Sequence, residues 1–413
     1  MTHLMFTADR ADAMETPFLF VDDIDTAGKR CLVRFDLNVP LVHGAVGDDT
    51  RIRRVLPGLN ALIETGARLV ILTHLGRPKG QQVPDMSVAP VAAALAALLG
   101  RPVPVVADIT GAAAREAVAA MQDGDIVMLE NLRFQAGEEA NDPAFAAQLA
   151  ALGDIYVGDA FSCTHRAHAS VEALPRMMQT VVAGRALGAE LSALHRALSA
   201  PDRPVGAVVG GAKVSTKLSV LENLVKQVDV LVLGGGMANT FLLAAGQDIG
   251  ASLVEADMTD TASAIAASAA THGCQLILPV DYCVASALQA GVQTRIASPR
   301  DIKAEDMILD AGPESTKAAI AALADCRTLV WNGPMGAFEI LPFDSATNAL
   351  ARAVADRSAA GTLLSVAGGG DTLAALANAG VSHDVSYIST AGGAFLEWLE
   401  GRTLPGVEAL RRA

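Results

Sequence analysis

Short runs rich in valine, isoleucine and leucine recur along the whole chain, and alanine-rich stretches with helical periodicity follow them. Near-continuous apolar strands that are separated by helix-length connections are typical of parallel sheets covered by helices on both faces. The sequence therefore predicts an α/β protein. The predicted strands lie at 31–39, 69–74, 103–108, 126–131 and 154–159 in the first half, and at 205–211, 229–236, 275–281, 328–333, 363–370 and 387–393 in the second.

The length of 413 residues allows two or three domains of about 150 residues each. The best boundary lies between Pro175 and Pro204, where strand patterns stop and AELSALHRAL forms one amphipathic pattern. We therefore predict two doubly wound, Rossmann-like lobes that are joined by a hinge helix. The predicted parts are an unassigned N-terminal extension at 1–16, a first lobe at 17–185, the hinge helix at 186–198 and a second lobe at 199–396.

Apolar residues make up 51% of the chain and charged residues 18%, which excludes a disordered protein. The net charge of -14 argues against general binding to nucleic acid or to anionic membranes, so any anion must be bound by a local group of cations. No apolar run reaches the ~18 residues of a membrane span, and the N-terminus does not resemble a secretory signal. The scattered cysteines indicate reduced thiols, and we expect a cytoplasmic location.

Cationic and polar residues follow the predicted strands of the first half. Ligands of open parallel sheets bind beyond the carboxyl ends of the strands, so these positions indicate a binding site. Arginine presents a planar fork that suits carboxylate and phosphate, and several arginines at one sheet edge suit a small polyanion. For any single arginine, a surface ion pair is the alternative. The set consists of Asp36, Asn38, Arg51, His74, Arg77, Arg133, His165, Arg166 and His168.

Glycines end the predicted strands of the second half, at 210–211, 234–236, 368–370 and 392–393. Small residues let backbone N–H groups approach a phosphate closely, which favours a nucleotide site over simple turns. Neither of the two common phosphate-binding motifs, the P-loop and the dinucleotide motif, is complete. Ala212 stands where a P-loop has lysine, and GGGMAN and GGGDTL lack the third glycine of a dinucleotide motif.

Two lysines, Lys213 and Lys217, are four residues apart after Gly211. If a helix begins there, both ammonium groups lie on one face near its N-terminus, where they suit a transferring phosphoryl group. Ordinary surface lysines are the alternative. Asp371 and Thr372 suit a helix cap, and in a nucleotide site the carboxylate of Asp371 could hold Mg²⁺.

Nine motifs occur in a characteristic order: VRFDLNVP, HLGRPKG, LENLRF, DAFSCTHRAH, GGAKVSTK, LVLGGGMANTF, VWNGPMGAFE, GGGDT and STAGG. With them the chain resembles the phosphoglycerate kinase family from about residue 17 to the C-terminus. The resemblance implies a phosphotransferase with a carboxyl group as acceptor, active in glycolysis and gluconeogenesis. The implied reaction is reversible, Mg²⁺-dependent phosphoryl transfer from 1,3-bisphosphoglycerate to ADP, which gives 3-phosphoglycerate and ATP.

The resemblance also implies a role for each lobe. The first lobe would bind the phosphoglycerate through Asp36, Asn38, Arg51, His74, Leu75, Gly76, Arg77, Arg133 and Arg166, and Gly392 and Gly393 would complete that site. The second lobe would bind the nucleotide through Gly211, Lys213, Lys217, Gly235, Asn332, Pro334, Glu339, Gly369, Gly370, Asp371 and Thr372. Among these, Gly211, Gly235 and Pro334 would line the adenine slot, Asp371 would hold the metal ion, and Arg51, Lys213 and Lys217 would be catalytic.

The implied mechanism needs no nucleophilic side chain, because a carboxylate oxygen of the substrate attacks and the enzyme supplies position and charge. Acceptor and donor on separate lobes would meet only when the lobes close, which also excludes water. The C-terminal tail at 397–413 resembles the family's tail that returns to the first lobe. We expect a monomer without nucleic acid or membrane partners.

Three segments depart from the family's common pattern. Ser162, Cys163 and Thr164 stand where the family often has Gly-Thr-Ala, and Ala391 replaces a frequent glycine. The segment at 340–349 also differs, which leaves nucleotide contacts there open. None of the departures removes a named ligand.

Three other interpretations were weighed. A dehydrogenase would need a complete G-x-G-x-x-G after an early strand, which the first lobe lacks. A non-catalytic nucleotide-binding module would be expected to lose charged ligands in one lobe. A metal site at Cys163, His165 and His168 has no second ligand cluster to support it.

Overall fold

The apolar runs of the sequence form strands in two separate parallel sheets, and the structure, a computed structural model, describes them within residues 17–411. Over this range the chain divides into two units, residues 17–189 with 404–411, and residues 190–403. The prediction of two parallel α/β sheets is therefore confirmed. No helix of the described range combines the length and the apolar character that crossing a bilayer requires.

The first unit contains a six-stranded parallel sheet with the order β5-β6-β4-β1-β7-β8 and a two-stranded hairpin, β2-β3. Its strands are β1 (Arg30–Phe35), β2 (Leu41–Val42), β3 (Ala45–Val46), β4 (Arg68–Leu72), β5 (Val105–Val106), β6 (Ile126–Leu129), β7 (Ile155–Asp159) and β8 (Thr180–Ala183). Its helices are α1 (Thr50–Glu64), α2 (Ala89–Leu99), α3 (Ala112–Ala119), α4 (Ala136–Glu139), α5 (Pro143–Ala150) and α6 (Leu174–Met177). Strand β1 is buried from Cys31 to Phe35, because helices cover both faces of the sheet.

Helix α7 (Arg185–Leu194) begins in the first unit and ends in the second, because the division falls between Ala189 and Glu190. Its first turn is held by Asp159 at the end of β7, whose carboxylate accepts a hydrogen bond of 2.7 Å from the backbone N–H of Leu187. A π-helical turn, His195–Ser199, follows it. The helix lies where a hinge helix is expected, and its role as a hinge stays a prediction.

The second unit contains a six-stranded parallel sheet with the order β11-β10-β9-β15-β16-β17. Its strands are β9 (Val205–Gly210), β10 (Val230–Gly234), β11 (Gln275–Ile277), β12 (Tyr282–Ala285), β13 (Arg295–Ala297), β14 (Met307–Ala311), β15 (Thr328–Asn332), β16 (Leu364–Gly368) and β17 (Tyr387–Ser389). Its helices are α8 (Leu218–Leu224), α9 (Gly236–Ala244), α10 (Thr259–Thr271), α11 (Pro313–Ala322), α12 (Ser345–Ala359), α13 (Gly370–Asn378) and α14 (Gly393–Leu399).

One sheet of the second unit was not predicted. Strands β13, β12 and β14 form a three-stranded antiparallel sheet beside the parallel one. They are three to five residues long and only partly buried, so they lack the continuous apolar runs by which the other strands were recognised. At the C-terminus, α15 (Pro405–Glu408) belongs to the first unit, whereas α14 stays in the second.

Candidate functional site

Polar side chains gather at the carboxyl ends of four adjacent strands in the first unit. Because the sheet order is β6-β4-β1-β7, the segments that follow these strands share one edge of the sheet. Asp36 follows β1, His74 follows β4, Arg133 follows β6, and Ser162 follows β7. Strand β1 is the point at which the strand order reverses, which is where open α/β sheets bind their ligands.

The carboxylate of Asp36 organises one side of this edge. It accepts hydrogen bonds from the guanidinium of Arg51 and from the hydroxyl of Ser162, and a third of 3.2 Å from the backbone N–H of Asn38. The side chain of Asn38 in turn accepts a bond of 2.9 Å from the backbone N–H of Gly76. Asp36 therefore orients a half-exposed arginine, and Asn38 holds the loop after β4.

Arg133 is a buried cation, with 3% of its surface exposed. Its Nη1 donates to the carbonyl oxygen of Gly76 at 2.7 Å. Its Nε lies 3.2 Å from Glu139 Oε1 but in a direction that makes no hydrogen bond. Burial lowers the pKa of Arg133, yet guanidinium stays protonated in proteins. A buried cation with an unpartnered N–H group is suited to bind an anion.

Two histidines of this edge, the buried His74 and the half-buried His168, are neutral near pH 7. Burial lowers the pKa of His74 well below 6.5, and Arg34 and Arg133 lower it further. Burial and the same two arginines lower the pKa of His168 to about 4. These two histidines therefore add no positive charge to that of the arginines.

Glycine-rich segments converge in the second unit in the same way. The sheet order β10-β9-β15-β16 brings together the residues that follow these four strands. A Cβ at Gly210 would lie 1.8 Å from the carbonyl oxygen of Pro334, and a Cβ at Gly235 would lie 2.7 Å from that of Gly211. Gly235 also has φ +69. Only glycine fits at these positions, because any side chain would collide with the neighbouring backbone. The site is therefore lined by backbone groups rather than by side chains.

Lys217 lies among these glycines. Its ammonium donates hydrogen bonds to the carbonyl oxygens of Gly210 and of Asn332, the latter at 2.8 Å. Burial lowers the pKa of Lys217 to about 8, while the nearby carboxylate of Asp371 raises it. The ammonium is therefore a partly buried cation close to an exposed carboxylate.

A helix directly after Gly211, which was the condition for placing both lysines on one face, does not form. Helix α8 begins at Leu218, so Lys213 and Lys217 do not lie on one helix face. Ser215 explains the difference, because its backbone N–H and its hydroxyl both donate to the carboxylate of Glu255 and hold the segment as a turn. Lys213 is exposed on this turn.

Asn332 and Thr372 hold the segment after β16. Asn332 Nδ2 donates to the carbonyl oxygen of Gly368 at 2.7 Å, and its Oδ1 is buried without a hydrogen-bond partner. The hydroxyl of Thr372 donates to the same carbonyl at 2.8 Å and accepts from the backbone N–H of Gly333 at 2.7 Å. The hydroxyl is thus used within the protein, whereas Asp371 is exposed in the first turn of α13.

Comparison with known proteins decides the family. The phosphoglycerate kinase family profile matches residues 21–402. The chain belongs to the phosphoglycerate kinase family. The predicted family and enzyme class, a phosphotransferase with a carboxyl acceptor, are thereby confirmed, and the predicted reaction is the known activity of phosphoglycerate kinases.

Individual relatives cover nearly the whole chain. It is 55% identical over 397 residues to the phosphoglycerate kinase of Xanthobacter autotrophicus, covering 96% of this chain and 100% of the relative. It is 56% identical over 391 residues to that of a Ruegeria species, covering 95% and 98%. Among solved structures, the Coxiella burnetii phosphoglycerate kinase has a TM-score of 0.90 at 43% identity, with 95% of this chain and 99% of that chain covered. The Pyrococcus horikoshii enzyme has a TM-score of 0.76 at 31% identity, covering 95% and 98%.

The remaining predicted ligands of a phosphoglycerate kinase lie as follows. In the first unit Leu75 is buried, Arg77 is exposed and Arg166 is half-buried, all on segments that follow β4 or β7. In the second unit Pro334 is buried and Glu339 exposed after β15, and Gly369 and Gly370 begin α13. Gly392 and Gly393 begin α14, so these two predicted phosphoglycerate ligands lie in the second unit.

Several residues at the two sites were not predicted from the sequence. Leu253, 49% exposed, lies against the glycine-rich segment, with Cδ2 3.2 Å from the position of a Cβ at Gly236. No pattern marks this leucine, because it follows a turn rather than a strand. Arg34 and Glu138 lie behind His74. A signal for Arg34 was available, since it is a charged residue in a buried strand.

Three potential metal ligands, Asp36, His74 and Cys163, have ligand atoms within 4.8 Å of one another. Their surroundings argue against a cation. Arg51 already binds the carboxylate, Arg34 lies at His74 Nδ1, and burial raises the pKa of the Cys163 thiol. We therefore assign no metal ion to this cluster.

Proposed function

We propose that this phosphoglycerate kinase holds 3-phosphoglycerate on the first unit and the nucleotide on the second, at the strand-end sites described above. One observation carries the proposal: the two sheets present opposite kinds of site at equivalent edges. The first is lined by arginines, and the second by glycine backbone around a half-buried lysine. A protein of net charge -14 needs such local cations to bind polyanions.

The first site would recognise the two ends of phosphoglycerate by fixed donors. Arg133 offers the buried cation with an unpartnered N–H group, and Arg166 and Arg77 lie on neighbouring loops. Arg51, oriented by Asp36, is the arginine we assign to the transferring phosphoryl group. Neutral His74 contributes hydrogen bonding rather than charge.

The second site fits Mg²⁺ with a nucleotide. Asp371 offers an exposed carboxylate, and Asn332 Oδ1 is a buried oxygen that lacks a donor. Mg²⁺ prefers oxygen ligands and usually binds through one or two of them together with substrate phosphates. When bound, the ion would neutralise phosphate charge. Asp371 would hold it, and Lys217 and Lys213 would bind phosphate oxygens from the protein side.

The chemistry then requires only position and charge from the chain. In the direction from ATP, a carboxylate oxygen of 3-phosphoglycerate forms a bond to the γ-phosphorus while the bond from that phosphorus to the β,γ-bridging oxygen breaks. The products are 1,3-bisphosphoglycerate and ADP, and no proton is transferred. Arg51, Lys213 and Lys217 would stabilise the charge on the phosphoryl oxygens during transfer.

Because donor and acceptor would be held by different units, we expect transfer only when the two units close on each other. The division into lobes with a hinge at 186–198 is part of this proposal. The monomeric state and the cytoplasmic location stay predictions from the sequence.

A coupled assay tests the reaction. The protein is incubated with 3-phosphoglycerate, Mg²⁺, ATP, glyceraldehyde-3-phosphate dehydrogenase and NADH, and NADH loss is followed with each component omitted in turn. We expect turnover only in the complete mixture. A Lys217→Met variant purified in parallel controls for a contaminating kinase. Equal rates for this variant and the wild type, or turnover without 3-phosphoglycerate, would contradict the proposal.

A further inference from the structure

Arg34 is a buried arginine one residue before the end of strand β1. Its Nε donates to Ser170 Oγ at 2.9 Å, its Nη1 donates to the carbonyl oxygen of Phe35, and its Nη2 lies 3.1 Å from Nδ1 of His74. Each nitrogen of the guanidinium thus has a partner inside the protein. Arg34 is therefore not a direct ligand of the substrate.

Glu138 lies behind Arg34, where burial raises the pKa of its carboxyl and Arg34 and Ser170 work in the opposite direction. It is fully buried, and its two carboxylate oxygens accept from Ser170, Oε1 from the hydroxyl at 2.6 Å and Oε2 from the backbone N–H at 2.9 Å. His168 Nδ1 lies 3.9 Å from Oε1. The backbone carbonyl of Ser170 accepts a bond of 2.8 Å from the hydroxyl of Tyr156. Ser170 thus links the buried carboxylate to the buried guanidinium, and both of its hydroxyl interactions are fixed.

This chain of contacts determines the tautomer of His74. A guanidinium has N–H groups only and cannot accept a hydrogen bond. The ring nitrogen that faces Arg34, Nδ1, must therefore be the acceptor, and in a neutral imidazole the proton then lies on Nε2. Within the described residues Nε2 makes no hydrogen bond.

We propose that Arg34, held by Ser170 and Glu138, is a positioning residue that fixes His74 as the neutral Nε2–H tautomer, so that the histidine offers an anionic substrate one donor and no lone pair. The inference rests on the proposed function of this site. The other tautomer would direct a lone pair at the anion. A freely rotating ring would alternate between the two arrangements.

Three parts of the first unit carry the groups that lower the pKa of His74: Arg34 on β1, Arg133 after β6, and Arg166 and His168 after β7. Asp36 after β1 and Cys163 after β7 also have ligand atoms within 4.8 Å of the ring. Glu138 on α4 lies behind Arg34 and is separated from the histidine by it. The neutral form is therefore the one that the surroundings favour, and the hydrogen bond of Arg34 selects between its two tautomers.

The first test measures the tautomer in the free protein. Two-bond ¹H–¹⁵N correlation spectra of histidine-labelled protein, assigned with a His74→Asn variant, distinguish protonated from unprotonated ring nitrogens. We expect an unprotonated Nδ1 and a protonated Nε2 for His74 from pH 6 to pH 8. A protonated Nδ1, or a doubly protonated ring at pH 7, would overturn the proposal whether or not the protein is active.

The second test removes the link with Ser170→Ala, which deletes one buried hydroxyl and leaves Arg34 and Glu138 unchanged. The matched control is Thr26→Val, because Thr26 carries a buried hydroxyl of the same unit that lies outside this network and bonds Thr65 Oγ1 at 2.7 Å. In Ser170→Ala we expect a mixture of His74 tautomers and a KM for 3-phosphoglycerate raised roughly tenfold, the equivalent of one hydrogen bond, with kcat within about twofold of the wild type.

If the network has only a structural role, Ser170→Ala should lower the melting temperature, as the loss of a buried hydroxyl in Thr26→Val does, and leave the His74 tautomer and KM unchanged. That result, with the wild-type enzyme active, would overturn the positioning role and keep the proposed function. An inactive wild-type enzyme with the expected tautomer would contradict the proposed function instead, so the two failures are distinguishable.

Discussion

Replacing Lys217 by methionine separates the chemical role of this residue from its structural one. The ammonium links the carbonyl oxygens of Gly210 and Asn332 and lies where the transferring phosphoryl group is expected. Removing one donor that stabilises transition-state charge typically lowers kcat by about 10²- to 10³-fold. We expect a loss of this size in Lys217→Met, with the KM for 3-phosphoglycerate nearly unchanged because that substrate is bound by the other unit.

The same substitution should not unfold the protein. A pKa of about 8 instead of 10.5 means that burial disfavours the charged side chain by about 3 kcal/mol. Methionine removes this cost, while the loss of the two hydrogen bonds works in the opposite direction. We therefore expect a melting temperature within a few degrees of the wild type, or above it.

The assay compares the wild type, Lys217→Met and an exposed-lysine control, Lys226→Met, in the coupled reaction between pH 6.5 and pH 9.5. In the wild type, kcat/KM for MgATP should fall above about pH 8 as the free enzyme loses the Lys217 proton. The control should follow the wild-type profile. A folded Lys217→Met enzyme that keeps more than a tenth of the wild-type kcat would refute the reasoning.

Three further changes test other parts of the structure. Arg133→Lys removes the planar fork of a buried guanidinium, so we expect the KM for 3-phosphoglycerate to rise by at least about tenfold. The KM for MgATP should stay unchanged, and a rise in both KM values would contradict this prediction. Gly235→Ala places a Cβ 2.7 Å from the carbonyl oxygen of Gly211, on a residue whose φ is +69. Because this change disturbs the second unit, steady-state kinetics should show a higher KM for MgATP and an unchanged KM for 3-phosphoglycerate. Burial raises the pKa of Asp310 to about 7, so between pH 5 and 7 the folded state keeps a proton that the unfolded state has lost. The free energy of unfolding should therefore fall by on the order of 2 kcal/mol over that interval, as measured by urea denaturation, and Asp310→Asn should lose this part of the pH dependence; an equal slope in both proteins would show that the group is not responsible.

The sequence was sufficient to predict the two parallel sheets, because their strands are buried on both faces and therefore continuously apolar. The sequence also identified the residues at the carboxyl ends of the strands, because the end of each apolar run marks where its strand reaches the edge of the parallel sheet. The antiparallel sheet of β12, β13 and β14 was not predicted, because short, half-buried strands have no such run.

Local structure around Lys217 was left open by the sequence for a related reason. Spacing places Lys213 and Lys217 on one face only if the segment is helical, and the hydrogen bonds of Ser215 to the distant Glu255 prevent that. The pairing of Arg34 with Glu138 is likewise a tertiary contact, made through Ser170 over 136 and 32 residues of sequence. Motif spacing carries no information on such contacts.

The division of binding between the two units is the central claim, and hydrogen–deuterium exchange with each ligand alone tests it most directly. With 3-phosphoglycerate alone we expect slower exchange in the first unit, around 36–38, 74–77 and 162–168. With MgADP alone we expect it in the second unit, around 210–217, 332–339 and 368–372. Protection of the first-unit segments by MgADP alone, or of the second-unit segments by 3-phosphoglycerate alone, would contradict the account.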